Sequence, residues 1–189
     1  MKIVILTSSP NNDGLTAACG EEAKIGVELG FANALAINLN SLNISSCHAC
    51  GSGWGTCLNK HTCQIEDDFQ TLHATIAEAD AYIIITPVYW HDMSESLKVF
   101  IDRLRRCEAT NGEKNNLAGK PFICVAAPGG TGNGCISCLA SFERFVDHIK
   151  GVKYDFIGVT KRNREYKLTT IRDAAKSMAQ NLTLLPPFL

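Results

Sequence analysis

AYIIITPVYWHDMS, residues 81–94, decides how this chain folds. Tyr82–Thr86 is a short β-branched and aromatic run, read as a buried strand. An aromatic loop, Pro87-Val88-Tyr89-Trp90-His91, follows it. From Ser94 to Arg106 the apolar residues Leu97, Phe100, Ile101 and Leu104 then fall on one helical face. The same succession of strand, loop and helix recurs on both sides. Lys2–Leu6 leads into TSSPNNDGLT (7–16) and a helical pattern over Leu15–Leu29, which Gly30 stops; Pro121–Ala126 leads into APGGTGNG (127–134) and an amphipathic Cys135–Ile149.

Ala34–Leu39 and Val152–Thr160 supply two further strands. Asp67 or Asp68 caps a helix through about Ala77, and Ile171–Leu182 is a last helix before the helix-incompatible Pro186-Pro187 tail. Strands alternating with helices predict a doubly wound parallel α/β sheet with helices on both faces. The element count favours the five-stranded flavodoxin-like order 2-1-3-4-5. Residues 1–189 read as a single domain, interrupted by an irregular, Cys-rich excursion at about 41–66.

Composition excludes several function classes. The formal net charge is -1 with no basic block, so nucleic acid is not an expected partner. No apolar run reaches the ~18 residues of a membrane span, and the N-terminus enters a strand without a leader pattern, which points to a cytoplasmic protein. Nine cysteines in such a chain indicate metal, redox chemistry or plain burial.

In a parallel sheet, loops that follow strands meet along one edge, where ligands bind. The first loop is rich in hydroxyls and precedes a helix, so its N–H groups and the helix dipole together favour an anion. It is neither a G-x-G-x-x-G nor a Walker loop, which leaves a monophosphate or a plain capped turn. The second loop offers flat aromatic surface, with one of Tyr89 and Trp90 expected to pack inward. His91 either tunes a bound ring or caps the following turn. The third loop is nearly bare of side chains and brings backbone N–H groups close to a ligand, unless it is a hinge. Together they describe a site for a phosphorylated, planar cofactor.

Ser-Ser-Pro-x-x-x-Gly-x-Thr at 8–16, Pro-Val-Tyr-Trp at 87–90, Lys98…Phe100…Asp102-Arg103 and Pro128-Gly129-Gly130 resemble the flavodoxin-like NAD(P)H-dependent FMN reductase and iron–sulfur flavoprotein family, from Met1 to about Gly151. The resemblance implies FMN as cofactor. Its phosphate would be held by Ser9, Asn11, Gly14, Leu15 and Thr16, its ring bordered by Pro87, Val88, Tyr89 and Trp90, and the ring's polar edge met by Gly129, Gly130 and Thr131. Asn11 stands where the family usually has a basic residue, which shifts the phosphate's hold onto N–H and hydroxyl donors.

Cys47-x2-Cys50-x6-Cys57-x5-Cys63 matches the family's cysteine cluster in position but not in spacing, since two residues usually separate the second and third cysteines. A [4Fe-4S] cluster, a zinc ion and no metal all stay open. Trp54 is expected over the flavin or against a neighbouring subunit. Cys135-x2-Cys138 is either a reactive pair with a lowered Cys135 pKa or two buried helix thiols, while Cys19, Cys107 and Cys124 belong to the core.

The chemistry implied is flavin-borne, with no protein nucleophile. The first expectation is an oxidoreductase taking electrons from NAD(P)H to a quinone, flavin or similar small acceptor. The alternative is an electron carrier with FMN and a [4Fe-4S] cluster that serves a redox partner protein. A flavodoxin-like regulator without a cofactor is a third. The resembled family is usually a homodimer or homotetramer.

Overall fold

A computed structural model describes residues 1–182; the Pro186-Pro187 tail lies outside them. Five parallel strands form the sheet: β1 (Lys2–Thr7), β2 (Asn33–Asn38), β3 (Ala81–Tyr89), β5 (Pro121–Ala127) and β6 (Val152–Gly158). Their spatial order is β2-β1-β3-β5-β6, and the two-residue β4 (Asp92–Met93) pairs antiparallel with the end of β3. Leaving β4 aside, this is the expected 2-1-3-4-5 order. The sixth strand is an addition to the expected five.

Alternation along the strands divides the core in two. Val4, Leu6, Tyr82, Ile84, Phe122 and Cys124 face one side. There they meet α4 (Phe69–Ala77), α5 (Glu95–Glu108) and α6 (Cys135–His148). Ile3, Ile5, Ile83, Ile85, Ile123 and Val125 face the other side, against α1 (Leu15–Leu29) and α7 (Arg164–Asn181). Phe100 and Leu97 on α5 are fully buried, and burying a side chain of this kind contributes ~1.5–3 kcal/mol.

α1 and α7 approach closely because Gly26 has no side chain. A Cβ built there would lie 2.2 Å from the Arg172 carbonyl oxygen and 2.8 Å from the Ala175 Cβ. α7 starts at Arg164, two turns before the expected Ile171. The extra turns are polar apart from Leu168, so no apolar stripe announces them.

The excursion contains two single turns, α2 (Cys50–Gly53) and α3 (Thr56–Asn59). Between Leu39 and Phe69 no residue is fully buried. Among the described residues no helix is long and apolar enough to cross a membrane.

Candidate functional site

All three loops lie at the carboxyl edge of the sheet, and buried hydroxyls join the first two. Ser8 Oγ, at the end of β1, donates to Thr86 Oγ1 at 3.0 Å and accepts from Ser94 Oγ at 2.8 Å. Thr86 Oγ1 in turn accepts from the Ser94 backbone N–H at 3.0 Å. All three residues are buried, so their hydroxyls satisfy one another where water is excluded. This cluster was not anticipated from the sequence, where Thr86 read only as a strand end and Ser94 as the start of a helix.

The second and third loops meet through α6. Ser137 Oγ donates to the His91 carbonyl at 2.7 Å. Gly134, at φ +78°, lies so close that a Cβ there would sit 2.5 Å from His91 Cα. His91 therefore anchors a turn through its backbone.

In the phosphate loop, Ser9 and Thr16 are buried, and with Asn11 and Asn38 they line one pocket of about 240 Å³. Asn38, at the end of β2, donates its amide to the Ser9 carbonyl and to Asn12 Oδ1, both at 3.2 Å. It positions the loop from the neighbouring strand, a role the sequence did not signal. Gly14 is the N-cap of α1 and supplies no capping side chain. Leu15 and Thr16 open this helix, so its first-turn N–H groups lack a side-chain acceptor. An uncapped, 15-residue helix facing a hydroxyl-lined pocket suits a phosphate.

The ring loop departs from expectation. Pro87, Val88 and Tyr89 belong to β3, which continues past the expected Thr86 into a hairpin with β4. Trp90 and His91 form its tip with φ of +47° and +69°. Two successive left-handed residues are what a two-residue hairpin turn requires, and side-chain-bearing residues adopt that conformation at a cost of roughly 1–2 kcal/mol each. The turn throws Trp90 outward at 96% exposure and leaves Tyr89 at 49%. Neither packs into the core, contrary to the expectation for one of them. Gly129 and Gly130 stand in open space, with no atom within 4 Å of a built Cβ, and Thr131 follows them on the exposed rim.

Cys47, Cys50, Cys57 and Cys63 line a single cavity together with Arg103 and Arg106 of α5. Among the described residues no three His, Cys, Asp or Glu side chains gather as ligands of one metal ion. The thiols surround a space without converging on a point. That arrangement fits a single zinc poorly; a cluster, whose thiolates bind separate irons, suits it better. The donor set carries a second sign of fit: Arg103 Nε and Arg106 Nε are buried without a partner.

Asp67 ties the excursion to α5. It accepts from Arg103 Nη1 at 2.6 Å, from Ser45 N at 2.9 Å and from Ser45 Oγ at 2.6 Å. Burial opposes its charge, but these bonds outweigh burial and hold its carboxyl well below the usual range. Asp67 also accepts from the Phe69 N–H at 3.0 Å, while Asp68 accepts from Asn43 N. Asp68 thus holds the N-cap position of α4 without a side-chain bond there, and the carboxylate that takes a first-turn N–H is that of Asp67, one residue earlier. Trp54 lies under the Arg106 guanidinium at 3.9 Å, where a cation–π contact holds it.

Burial keeps the other thiols in the protonated form. Burial pushes the Cys19, Cys107 and Cys138 thiols up to about 12 and raises Cys124 and Cys135 as well. A lowered Cys135 pKa does not occur, because its environment is apolar and the Lys167 charge only partly offsets burial.

The family model described as NADPH-dependent FMN reductase matches residues 1–153. The chain belongs to this family. An iron–sulfur flavoprotein of Archaeoglobus fulgidus is 31% identical over 137 residues, covering 70% of this chain and 56% of that protein. One of Methanosarcina thermophila is 26% identical over 194 residues, covering 98% and 97%. The chain spans 56%, 65% and 62% of three of the curated relatives that it matches.

Among solved structures, RosB with a bound 8-demethyl-8-formylriboflavin-5'-phosphate aligns with a TM-score of 0.78 at 16% identity, over 98% of this chain and 81% of that one. The NAD(P)H:quinone oxidoreductase of Methanothermobacter marburgensis aligns at 0.68 and 18% identity, over 96% of each chain. At these identities the likeness shows a shared fold.

Proposed function

We propose that the protein binds FMN across the three joined loops and uses it to move electrons from NAD(P)H to a small acceptor such as a quinone or free flavin. The observation that carries this reading is the linkage of the loops: Ser8, Thr86 and Ser94 fasten the first to the second, and Ser137 and Gly134 fasten the second to the third. When bound, FMN supplies hydride acceptance and onward transfer of one or two electrons. Ser9, Asn11, Thr16 and the uncapped N–H groups from Gly14 and Leu15 onward hold its phosphate. Pro87–Trp90 border the ring. Gly129, Gly130 and Thr131 offer N–H groups to its polar edge. No side chain in this arrangement acts as a nucleophile; the residues bind and orient.

A second reading is favoured by the cysteine cavity and by the names of the relatives. In it the protein is an iron–sulfur flavoprotein, with a [4Fe-4S] cluster on Cys47, Cys50, Cys57 and Cys63 relaying electrons to a redox partner protein. Exposed Tyr89, Trp90 and Ile136 suit contact with a second copy, so a homodimer or homotetramer in the cytoplasm accompanies either reading.

Anaerobic purification followed by flavin, iron and sulfide analysis and by mixing with NADPH or NADH tests both. FMN-bearing, iron-free protein bleached rapidly by NADPH supports the first reading. Stoichiometric iron and sulfide, with slow bleaching by either nucleotide, supports the second. Colourless protein that takes up no added FMN defeats both.

A further inference from the structure

The cysteine cavity contains two donors that lack acceptors. Arg103 and Arg106 lie one turn apart on α5 and both line it. Arg103 is 1% exposed, and its terminal nitrogens are engaged: Nη1 donates to Asp67 and to the Ser45 carbonyl at 2.9 Å, and Nη2 to the Ile65 carbonyl at 3.1 Å. Arg106 Nη2 donates to the Gly53 carbonyl, and its guanidinium plane covers Trp54. Each side chain is thus fixed in orientation at its far end. Each leaves its Nε–H buried and unpartnered.

A buried donor without an acceptor costs about 1–3 kcal/mol, and more when the group is charged. Two such donors on one cavity call for an acceptor between them. Charge narrows its nature. Asp67 neutralises Arg103, whereas no carboxylate pairs with Arg106 among the described residues. The cavity therefore favours a group of net negative charge. Four thiolates around an iron–sulfur core form such a group, and its sulfurs accept hydrogen bonds.

We propose that Arg103 and Arg106 are positioning residues of the sulfur centre, donating their Nε–H groups to its sulfur atoms and raising its reduction potential. The inference rests on the iron–sulfur reading. Its physical basis is that the centre becomes more negative when it gains an electron, so fixed N–H donors and an unneutralised guanidinium stabilise the reduced form more than the oxidised one. A centre so poised accepts an electron from reduced flavin more readily than a bare one. Trp54, by fixing the Arg106 plane, serves the same end.

The test uses the full chain, reconstituted anaerobically with iron and sulfide. Dithionite supplies one electron to the cluster in a mediated titration followed by absorbance and electron paramagnetic resonance. Wild type is compared with Arg106→Met, which keeps an apolar stem but has no donor, and Arg106→Lys, which keeps the charge without the directed Nε–H. Arg106 is chosen because Arg103 also anchors Asp67. Arg106→Met should retain FMN, iron and sulfide. At a fixed poise its reduced-to-oxidised ratio should fall about tenfold, or about 59 mV for one electron, with Arg106→Lys in between.

Ratios within threefold of wild type in both variants overturn the proposal and leave the iron–sulfur reading standing. Wild-type protein that takes up no iron and sulfide overturns both, with FMN binding intact. If Arg106→Met retains FMN but loses its cluster, Arg106→Lys decides: a ratio below wild type sustains the proposal and an equal ratio overturns it.

Discussion

Replacing Asp67 with alanine should detach the cysteine excursion from α5 at large cost. The side chains of Asp67 and Arg103 are 4% and 1% exposed, and the carboxylate accepts from Arg103, from Ser45 twice and from Phe69. Deleting one member of a buried ion pair leaves the other charge uncompensated, which costs about 3–5 kcal/mol. Against a typical domain stability of roughly 5–15 kcal/mol, that is about a fifth of the total or more. With a urea m-value of about 2–3 kcal/mol per M, the midpoint followed by circular dichroism should fall by roughly 1–2 M. Limited proteolysis should cut Asp67→Ala first between residues 45 and 66. The double variant Asp67→Leu/Arg103→Met should recover most of the loss, because apolar replacement of both partners removes the stranded charge. A loss below about 1 kcal/mol at unchanged m, with no recovery in the double variant, would refute the claim that this pair holds the segment.

Four further outcomes are expected. Ser9→Glu places a carboxylate in the pocket assigned to the phosphate, so FMN affinity in a fluorescence titration should fall at least about tenfold; wild-type affinity would remove Ser9 from the site. Gly26→Ala drives a methyl group against the Arg172 carbonyl, and the overpacking should cost about 1–3 kcal/mol, seen calorimetrically as a Tm lower by roughly 2–12 °C. Trp90→Gly relaxes a left-handed residue and should leave Tm equal or higher while weakening FMN binding, whereas unchanged binding would show that Trp90 does not border the ring. The fourth concerns pH. Burial favours the neutral acid at both Asp67 and Glu108, yet bonds from Arg103 to Asp67, and from His73 and Asn116 to Glu108, hold both carboxyls below their ordinary 3.8 and 4.5. A lowered folded-state pKa confers stability above the ordinary value and loses it as pH falls through the folded one. The urea midpoint should therefore hold steady from pH 7 to about 5 and decline below about 4.5, less steeply in Asp67→Asn; an equal slope in that variant would dismiss Asp67 as a cause.

The sheet was legible because its strands are short apolar runs that each end in a recognisable loop. Tyr82–Thr86 and Pro121–Ala126 could be read as buried strands, and they are. Gly30 marked the end of α1, and Ser94 the start of α5, where the structure finds it as the cap, its hydroxyl accepting from Leu97 N. What escaped the sequence depends on long-range polar contacts. Ser8, Thr86 and Ser94 are far apart in the chain, and nothing local says that their hydroxyls meet. The hairpin tip at Trp90-His91 carries none of the Asn-Gly chemistry that usually announces such a turn. Asn38 looked like an ordinary strand end until its amide was seen to hold the phosphate loop. The first seven residues of α7 lack an apolar stripe because α1 covers mainly its later turns, at Ile171, Ala175 and Ala179.

Among the residues between Leu39 and Phe69 none is buried as a whole; the segment leans on the interior through the partly buried Leu42, Ile44, Cys57 and Cys63 and through a few polar ties to α5. Such a segment can lengthen or shorten away from those contacts with little effect on the hydrophobic interior beneath. The segment is in effect a detachable cartridge, set beside the three loops rather than built into them.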